Sequence, residues 1–258
     1  MIEWYQYVIA IAGGALAGAI NTLAGNGSAI TLSILTEVMG LPGNIANGTN
    51  RIGVFTQSSA GSYAFYRNGK LDLTHGKQNI FWTVIGALLG VFVAIRVSNE
   101  QFLFVFKYLM IAMLFVMLVK PKRWLKEKSE YHPVKWWIAI PVYLALGFYG
   151  GFIQMGMGIF YLATMVLVAR YSMVEGNALK SFVVALYTLI VLLIFQYKGL
   201  VRWDVGIILA IGQTLGGWYT AKFASKSPMA NKIAYWLLIS IVLIVLARMF
   251  HFFDFLSQ

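Results

Sequence analysis

Gly13-Gly-Ala-Leu-Ala-Gly-Ala-Ile-Asn-Thr-Leu-Ala-Gly-Asn-Gly27-Ser28 decides how this chain folds. It completes an apolar run that starts at Trp4 and is long enough to cross a hydrocarbon core of ~30 Å as a helix rising 1.5 Å per residue. At Gly25-Asn26-Gly27 the run breaks, because glycines this dense let the backbone turn sharply and present consecutive N–H groups. The segment that follows, Ser28–Met39, is apolar but would reach only ~18 Å as a helix, too short for a straight crossing. A full span, a glycine break and a half-length span in succession describe a discontinuous membrane helix.

The same arrangement returns in the second half. Gly156-Met157-Gly158 matches Gly25-Asn26-Gly27, and each precedes a short apolar segment. In the same order, Ala46-Asn-Gly-Thr49 matches Ala178-Leu-Lys-Ser181, Asp72 matches Asp204, and Ile85-Gly-Ala-Leu-Leu-Gly90 matches Ile211-Gly-Gln-Thr-Leu-Gly216. Ordered matches about 130 positions apart predict an internal duplication.

Composition agrees with a membrane location. Of 258 residues, 60% are hydrophobic and 11% charged, against about a quarter charged in soluble domains, so a soluble globular protein is excluded. Ten apolar segments are predicted: Trp4–Ala24, Ser28–Met39, Ala46–Tyr66, Gln78–Val97, Phe102–Val119, Lys135–Met155, Ile159–Ala169, Asn177–Tyr197, Asp204–Lys222 and Asn231–Phe250. The fold class is therefore all-α integral membrane, a polytopic helical bundle of two pseudo-symmetric repeats. Residues 1–119 form the first repeat, 120–134 a basic cytoplasmic linker and 135–258 the second repeat. Eight crossings result if the short segments are re-entrant, ten if they cross. The inverted five-plus-five arrangement is favoured because the two short segments then meet from opposite sides.

Met1-Ile2-Glu3-Trp4 lacks a cationic start and a small-residue cleavage pattern, so the first span reads as retained. With no cysteine, thiol and thiolate chemistry is excluded. The net charge of +11 marks cytoplasmic loops and not nucleic acid, since the basic residues sit mostly between apolar runs.

Two constellations carry the candidate chemistry. The first is Gly25, Asn26, Gly27 and Ser28 with Gly156 and Gly158; Ser28 is expected to cap the short helix, whose N-terminus offers unpaired donors to an anion. Close helix packing is the competing role for these glycines. The second is the polar opening of the third segment, where Thr49, Asn50, Arg51 and Gln57 enter the membrane. Lys180 and Ser181 stand at the corresponding place in the second half, and Asn21 and Gln154 precede the two breaks. Snorkelling to the headgroups is the alternative for Arg51 and Lys180. The nine acidic residues fall in loops or near segment ends, whereas the deepest charges are cationic: Arg51, Lys180 and Lys107. A low-dielectric cavity lined by cations and amides favours a negative ligand. No His-Glu-x-x-His or Gly-x-Ser-x-Gly pattern occurs, and no metal, cofactor or catalytic residue is expected.

The stretches Gly13–Gly27, Ala46-Asn-Gly-Thr-Asn-Arg51, Gly150-Gly-Phe-Ile-Gln-Met-Gly-Met-Gly158, Ala178-Leu-Lys-Ser181 and Ile211-Gly-Gln-Thr-Leu-Gly-Gly217 resemble those of the sulfite exporter TauE/SafE family of membrane permeases. The resemblance covers nearly the whole chain. It implies a multi-pass protein of the bacterial inner membrane that moves sulfite, thiosulfate or organosulfonates, generally outward. The family often carries a second glycine where this sequence has Ser28. The expected partners are a small anionic substrate and membrane lipid, with a homodimer left open. The expected function is a secondary transporter working by alternating access, the alternative being a passive anion channel.

Overall fold

The computed structural model describes residues 4–96 except 75, residues 132–227, and single positions between 98 and 118 and between 229 and 243; the side chains of Ala29, Ser33 and Glu37 are outside it. The expected fifth and tenth spans, the linker up to residue 131, and Lys107 lie outside the described residues. Within them the chain is helical throughout. The elements are α1 (Trp4–Ala24), α2 (Ser28–Ser33) running into a π-helical turn at Ile34–Val38, α3 (Gly43–Arg67) and α4 (Lys77–Ala94). In the second half come α5 (Trp136–Phe152), α6 (Met157–Ala163) with a π-helical turn at Thr164–Val168, α7 (Met173–Tyr197) and α8 (Trp203–Lys226). The order and lengths repeat closely: α3 and α7 have 25 residues each, and each short helix ends in a five-residue π turn.

α1, α4 and α7 are long and apolar enough to cross a membrane. α3 and α8 match them in length, about 37 Å at 25 residues and 36 Å at 24, but carry polar residues. Burial explains why that is tolerated. α3 turns Asn47, Thr49, Asn50, Arg51, Gln57, Ser58 and Ser62 inward, while exposed positions elsewhere are large and apolar, such as Leu16, Phe81, Leu89, Leu193, Ile211 and Phe223. Polar inside and apolar outside is the distribution that lipid selects. Trp4, Tyr5, Trp136, Trp137, Tyr197 and Trp203 stand exposed near helix ends, as interfacial aromatic anchors do.

Small residues set the helix contacts. α1 lies on α8 through Gly14 and Gly18, whose missing Cβ atoms make room for the backbone at Leu209 and Gln213. Gly212 and Gly216 do the same for Ile11 and Ala15. α4 lies on α5 in the same way, with Gly86 and Gly90 against Leu144 and Phe148, and Gly147 and Gly151 against Thr83 and Ala87. Both pairs are reciprocal small-xxx-small contacts, and each joins one half of the chain to the other.

The same contacts give direction. Residue numbers rise together across α1–α8 and across α4–α5, so the helices in each pair run parallel. Gly206 lies by Thr49, Thr56 bonds Thr214 at 2.8 Å and Gly217 lies by Gln57, so α3 runs with α8 and hence with α1. Against α7, Gly48 faces Leu200, Arg51 faces Phe195 and Gly61 faces Ser181, so α3 and α7 are antiparallel. Gly76 by Leu179 and Gly150 by Tyr187 place α7 parallel to α4 and α5. The long helices of equal rank, α1 and α5, α3 and α7, and α4 and α8, therefore run in opposite directions. Because α1 and α3 share a direction, α2 and the chain up to Pro42 must carry the polypeptide back between them.

Helix starts differ from the hydropathy limits. α3 begins at Gly43 because Pro42, with φ −55, suits the N-cap. α7 begins at Met173, where Ser172 and Glu175 form a capping box with bonds of 3.2 and 3.3 Å to each other's backbone N–H. Glu175 is thereby committed to the helix end and does not turn into the bundle.

Candidate functional site

The site is built on two helix C-termini. α1 ends on Gly25 at φ 80, whose N–H returns to Ile20 O at 3.3 Å and Asn21 O at 3.0 Å. α5 ends on Gln154 at φ 64, whose N–H returns to Tyr149 O at 3.3 Å. Both are left-handed C-terminal turns, the usual way to satisfy a helix's last carbonyls. The breaks touch each other. A Cβ on Gly25 would fall 2.6 Å from Gly158 Cα, and one on Gly158 would fall 2.5 Å from Gly25 Cα, so the approach is backbone on backbone.

Each helix tip is held by a cation from the other half. Lys180, 3% exposed, donates to Asn21 O at 2.7 Å, Thr22 O at 3.1 Å and Asn177 Oδ1 at 2.6 Å. Asn177 Nδ2 continues to Leu23 O at 3.0 Å. Arg51 is fully buried; its Nη1 donates to Gly150 O at 2.8 Å and to Gln154 Oε1, and its Nη2 to Asn47 Oδ1 and Gly151 O, both at 3.3 Å. Its guanidinium also lies 5.6 Å from the Phe195 ring centroid. The carbonyls of a helix C-terminus carry partial negative charge, so a cation there is favourable. Carbonyl dipoles do not cancel a full charge, however, and among the described residues neither cation meets a carboxylate. The two tips form a buried region with net positive charge.

Uncharged polar groups surround it. Gln57 accepts from Asn21 Nδ2 at 2.7 Å and donates to Thr22 Oγ1 at 2.9 Å. Asn50 Oδ1 accepts from Thr31 Oγ1 at 2.6 Å and from Gln213 Nε2 at 3.4 Å, and the single Thr31 hydroxyl hydrogen is shared with Ser28 O at 3.2 Å. Several buried atoms have no partner among the described residues: both polar atoms of Asn26 (1% exposed), Asn50 Nδ2, Gln213 Oε1, Ser181 Oγ and Arg51 Nε. Buried unsatisfied groups are uncommon in a folded protein, and each calls for an explanation.

Most of the sequence candidates converge here. Asn21, Gly25, Gly27, Gln57, Gly158 and Lys180 gather at the α1 tip; Arg51, Gln154 and Gly156 gather at the α5 tip. Gly27 abuts Ala17 O and Asn21 Cβ, turning α2 back along α1. Asn50 joins through Thr31, and Ser181 faces Gly61 at the α3–α7 contact. Two expectations need correction. Gly27, not Ser28, occupies the N-cap of α2, and no side chain caps it; Ser28 is already inside the first turn, contributing its carbonyl. Thr49 points away from the tips and accepts from Arg202 N at 3.0 Å, tying α3 to the start of α8. Beyond the candidates, Thr22, Thr31, Asn47, Asn177 and Gln213 also belong to the cluster. Asn47 and Asn177 carry a sequence signal, being one helical turn before Arg51 and Lys180. Gln213 lies in the repeated stretch Ile211-Gly-Gln-Thr-Leu-Gly216, which marks the segment but not this side chain.

Comparison with known proteins places the chain among membrane transporters. The profile of the family described as sulfite exporter TauE/SafE matches residues 10–249. A probable membrane transporter protein of Sinorhizobium sp, ORF9, is 28% identical over 212 residues, covering 81% of this chain and 79% of that protein. The probable membrane transporter protein YfcA of Escherichia coli K12 is 27% identical over 205 residues, 78% of this chain and 74% of its own length. A probable membrane transporter protein of Xylella fastidiosa 9a5c is 22% identical, covering 93% of this chain and 95% of the relative. No solved structure matches the chain. The chain is a helical membrane protein that belongs to the sulfite exporter TauE/SafE family.

Proposed function

We propose that the protein is a secondary transporter that exports small anions, of the class of sulfite, thiosulfate and organosulfonates, across the bacterial inner membrane by alternating access. The observation that carries this is the pair of buried cations at the two helix tips, neither of which meets a carboxylate among the described residues. Isolated charge is costly in a low dielectric, and a bound anion offsets that cost more fully than carbonyl dipoles do. The family name supports the sulfur oxyanion class. A cluster rich in hydrogen bonds without a nucleophile–base pair suits binding and not bond-making.

The packing suggests how binding would move the halves. Lys180 and Arg51 latch each half to the helix tip of the other. An anion competing for those cations weakens the latches and lets one half rock against the other. The antiparallel relation of α3 and α7 suits an inverted arrangement of five crossings per half, in which such rocking opens the site to either side.

Binding is expected to appear as a thermal shift of the purified protein. Thiosulfate, sulfite or sulfoacetate at about 100 times its Kd would stabilise by about 2.7 kcal/mol. Acetate at the same concentration is expected to shift it less. Equal shifts for every anion and for Arg51→Ala would count against a specific site.

A further inference from the structure

The two halves solve one local problem with different residues. Each of α1 and α5 ends on a left-handed residue whose N–H returns to the carbonyl five positions back. In the first half that residue is Gly25, which has no Cβ to clash. In the second it is Gln154, whose side chain makes the same conformation unfavourable. Gly156, the residue the repeat matches to Gly25, is left-handed as well at φ 79, so the second half has its glycine two residues further on and still holds Gln154 in the same conformation. Strain kept at a buried position points to a use for the side chain.

That use is visible in the donor count of Arg51. A guanidinium has five N–H hydrogens. The four on Nη1 and Nη2 meet four acceptors: Gly150 O, Gln154 Oε1, Asn47 Oδ1 and Gly151 O. The fifth, on Nε, is buried without a partner among the described residues. Lys180 differs, because its three hydrogens meet three acceptors at Asn21 O, Thr22 O and Asn177 Oδ1. Of these two cations, only Arg51 has a directed donor left over.

We propose that Gln154 is a positioning residue: its strained turn aims the amide at Arg51, which holds the guanidinium by its Nη edge and leaves Nε–H for an oxygen of the transported oxyanion. Lys180 acts on the same anion through its charge and keeps its hydrogen bonds to the α1 tip. The assignment rests on the anion-export function proposed above. It makes Arg51 the specificity-bearing ligand, and it makes the break of the second half, not that of the first, the side from which the anion is gripped.

Three variants reconstituted into proteoliposomes test this, with radiolabelled sulfite uptake and melting temperature measured for each. Q154G keeps the turn without strain but lacks the amide; Q154A lacks the amide and keeps the strain; Q154E keeps the bond to Arg51 but neutralises its charge. Q154G is expected to melt a few degrees above Q154A. All three are expected to raise KM roughly tenfold or more, with a smaller change in maximal rate. A purely structural role would make uptake follow melting temperature, so that Q154G outperforms Q154A. That pattern, a wild-type KM in Q154G or Q154E, or a Q154G melting no higher than Q154A would overturn the proposal while the export function stands. Wild-type vesicles without flux of sulfite, thiosulfate or sulfoacetate would overturn the export function itself, and the proposal with it.

Discussion

Gly25→Ala is expected to abolish transport and to lower the melting temperature by roughly 10 °C. Two penalties combine at this position. The left-handed backbone, at φ 80, costs an alanine about 1–2 kcal/mol. The new methyl would also lie 2.6 Å from Gly158 Cα and 2.8 Å from Ile159 N, and backbone atoms in a helix junction cannot swing aside as a side-chain end can. Overpacking of this kind costs about 1–3 kcal/mol more. Each kcal/mol is worth about 2–4 °C in a chain of this size. Two further variants separate the terms. Gly40 has φ 67 and nothing within 4 Å of the place a methyl would take, so Gly40→Ala reports the backbone term alone. Gly158→Ala meets the same contact without a left-handed φ, and reports the contact term. If Gly25→Ala melts no lower than Gly40→Ala, the two breaks do not pack as described.

Lys180→Met is expected to slow transport by about 30-fold while changing stability little. Methionine keeps much of the length and flexibility of lysine but none of its donors or charge. Removing the ammonium leaves Asn21 O, Thr22 O and Asn177 Oδ1 without their bonds, which is destabilising. It also removes a buried charge whose desolvation was costly, which is stabilising. These terms oppose each other within the fold. They do not oppose each other in the proposed anion binding, where only the charge would reach the substrate. For an anion about 8 Å away at an effective dielectric of 20, the lost attraction is about 2 kcal/mol, or roughly 30-fold. Near wild-type transport by a well-folded Lys180→Met protein would remove the electrostatic basis of the site.

The outline of the fold is legible in the sequence because its causes are local. Dense glycine at Gly25-Asn-Gly27 and Gly156-Met-Gly158 marks both breaks, and the apolar runs mark the helices within a few residues. Hydropathy places the starts of α3 and α7 late, because it overlooks capping; Pro42 and Ser172-x-x-Glu175 are nevertheless readable as stop-and-start signals. The π-helical turns at Ile34–Val38 and Thr164–Val168 carry no evident sequence signal.

The candidate site is legible in composition but not in connectivity. Asn50, Arg51 and Lys180 stand out because polar residues in a membrane helix are costly and need a reason. What those residues touch depends on backbone carbonyls about a hundred or more positions away, such as Gly150 for Arg51 and Asn21 for Lys180. Carbonyls are present at every residue, so no pattern of side chains announces them. Thr31 and Gln213 are hidden for a related reason: each lies in a mainly apolar stretch with small hydroxyl residues nearby, and only their meeting at Asn50 gives them a role. The strain at Gln154 is equally hidden, since a glutamine next to a glycine break does not reveal its φ.

Counterflow tests the transport mechanism most directly. Proteoliposomes are preloaded with unlabelled sulfite, diluted into trace radiolabelled sulfite, and followed over time. A carrier whose two halves rock about one site brings label in as it carries unlabelled anion out, so label accumulates transiently above its external concentration and uptake exceeds that of empty vesicles. Uptake that is indifferent to sulfite on the far side, rising only to equilibrium, would contradict alternating access and identify a passive anion pathway.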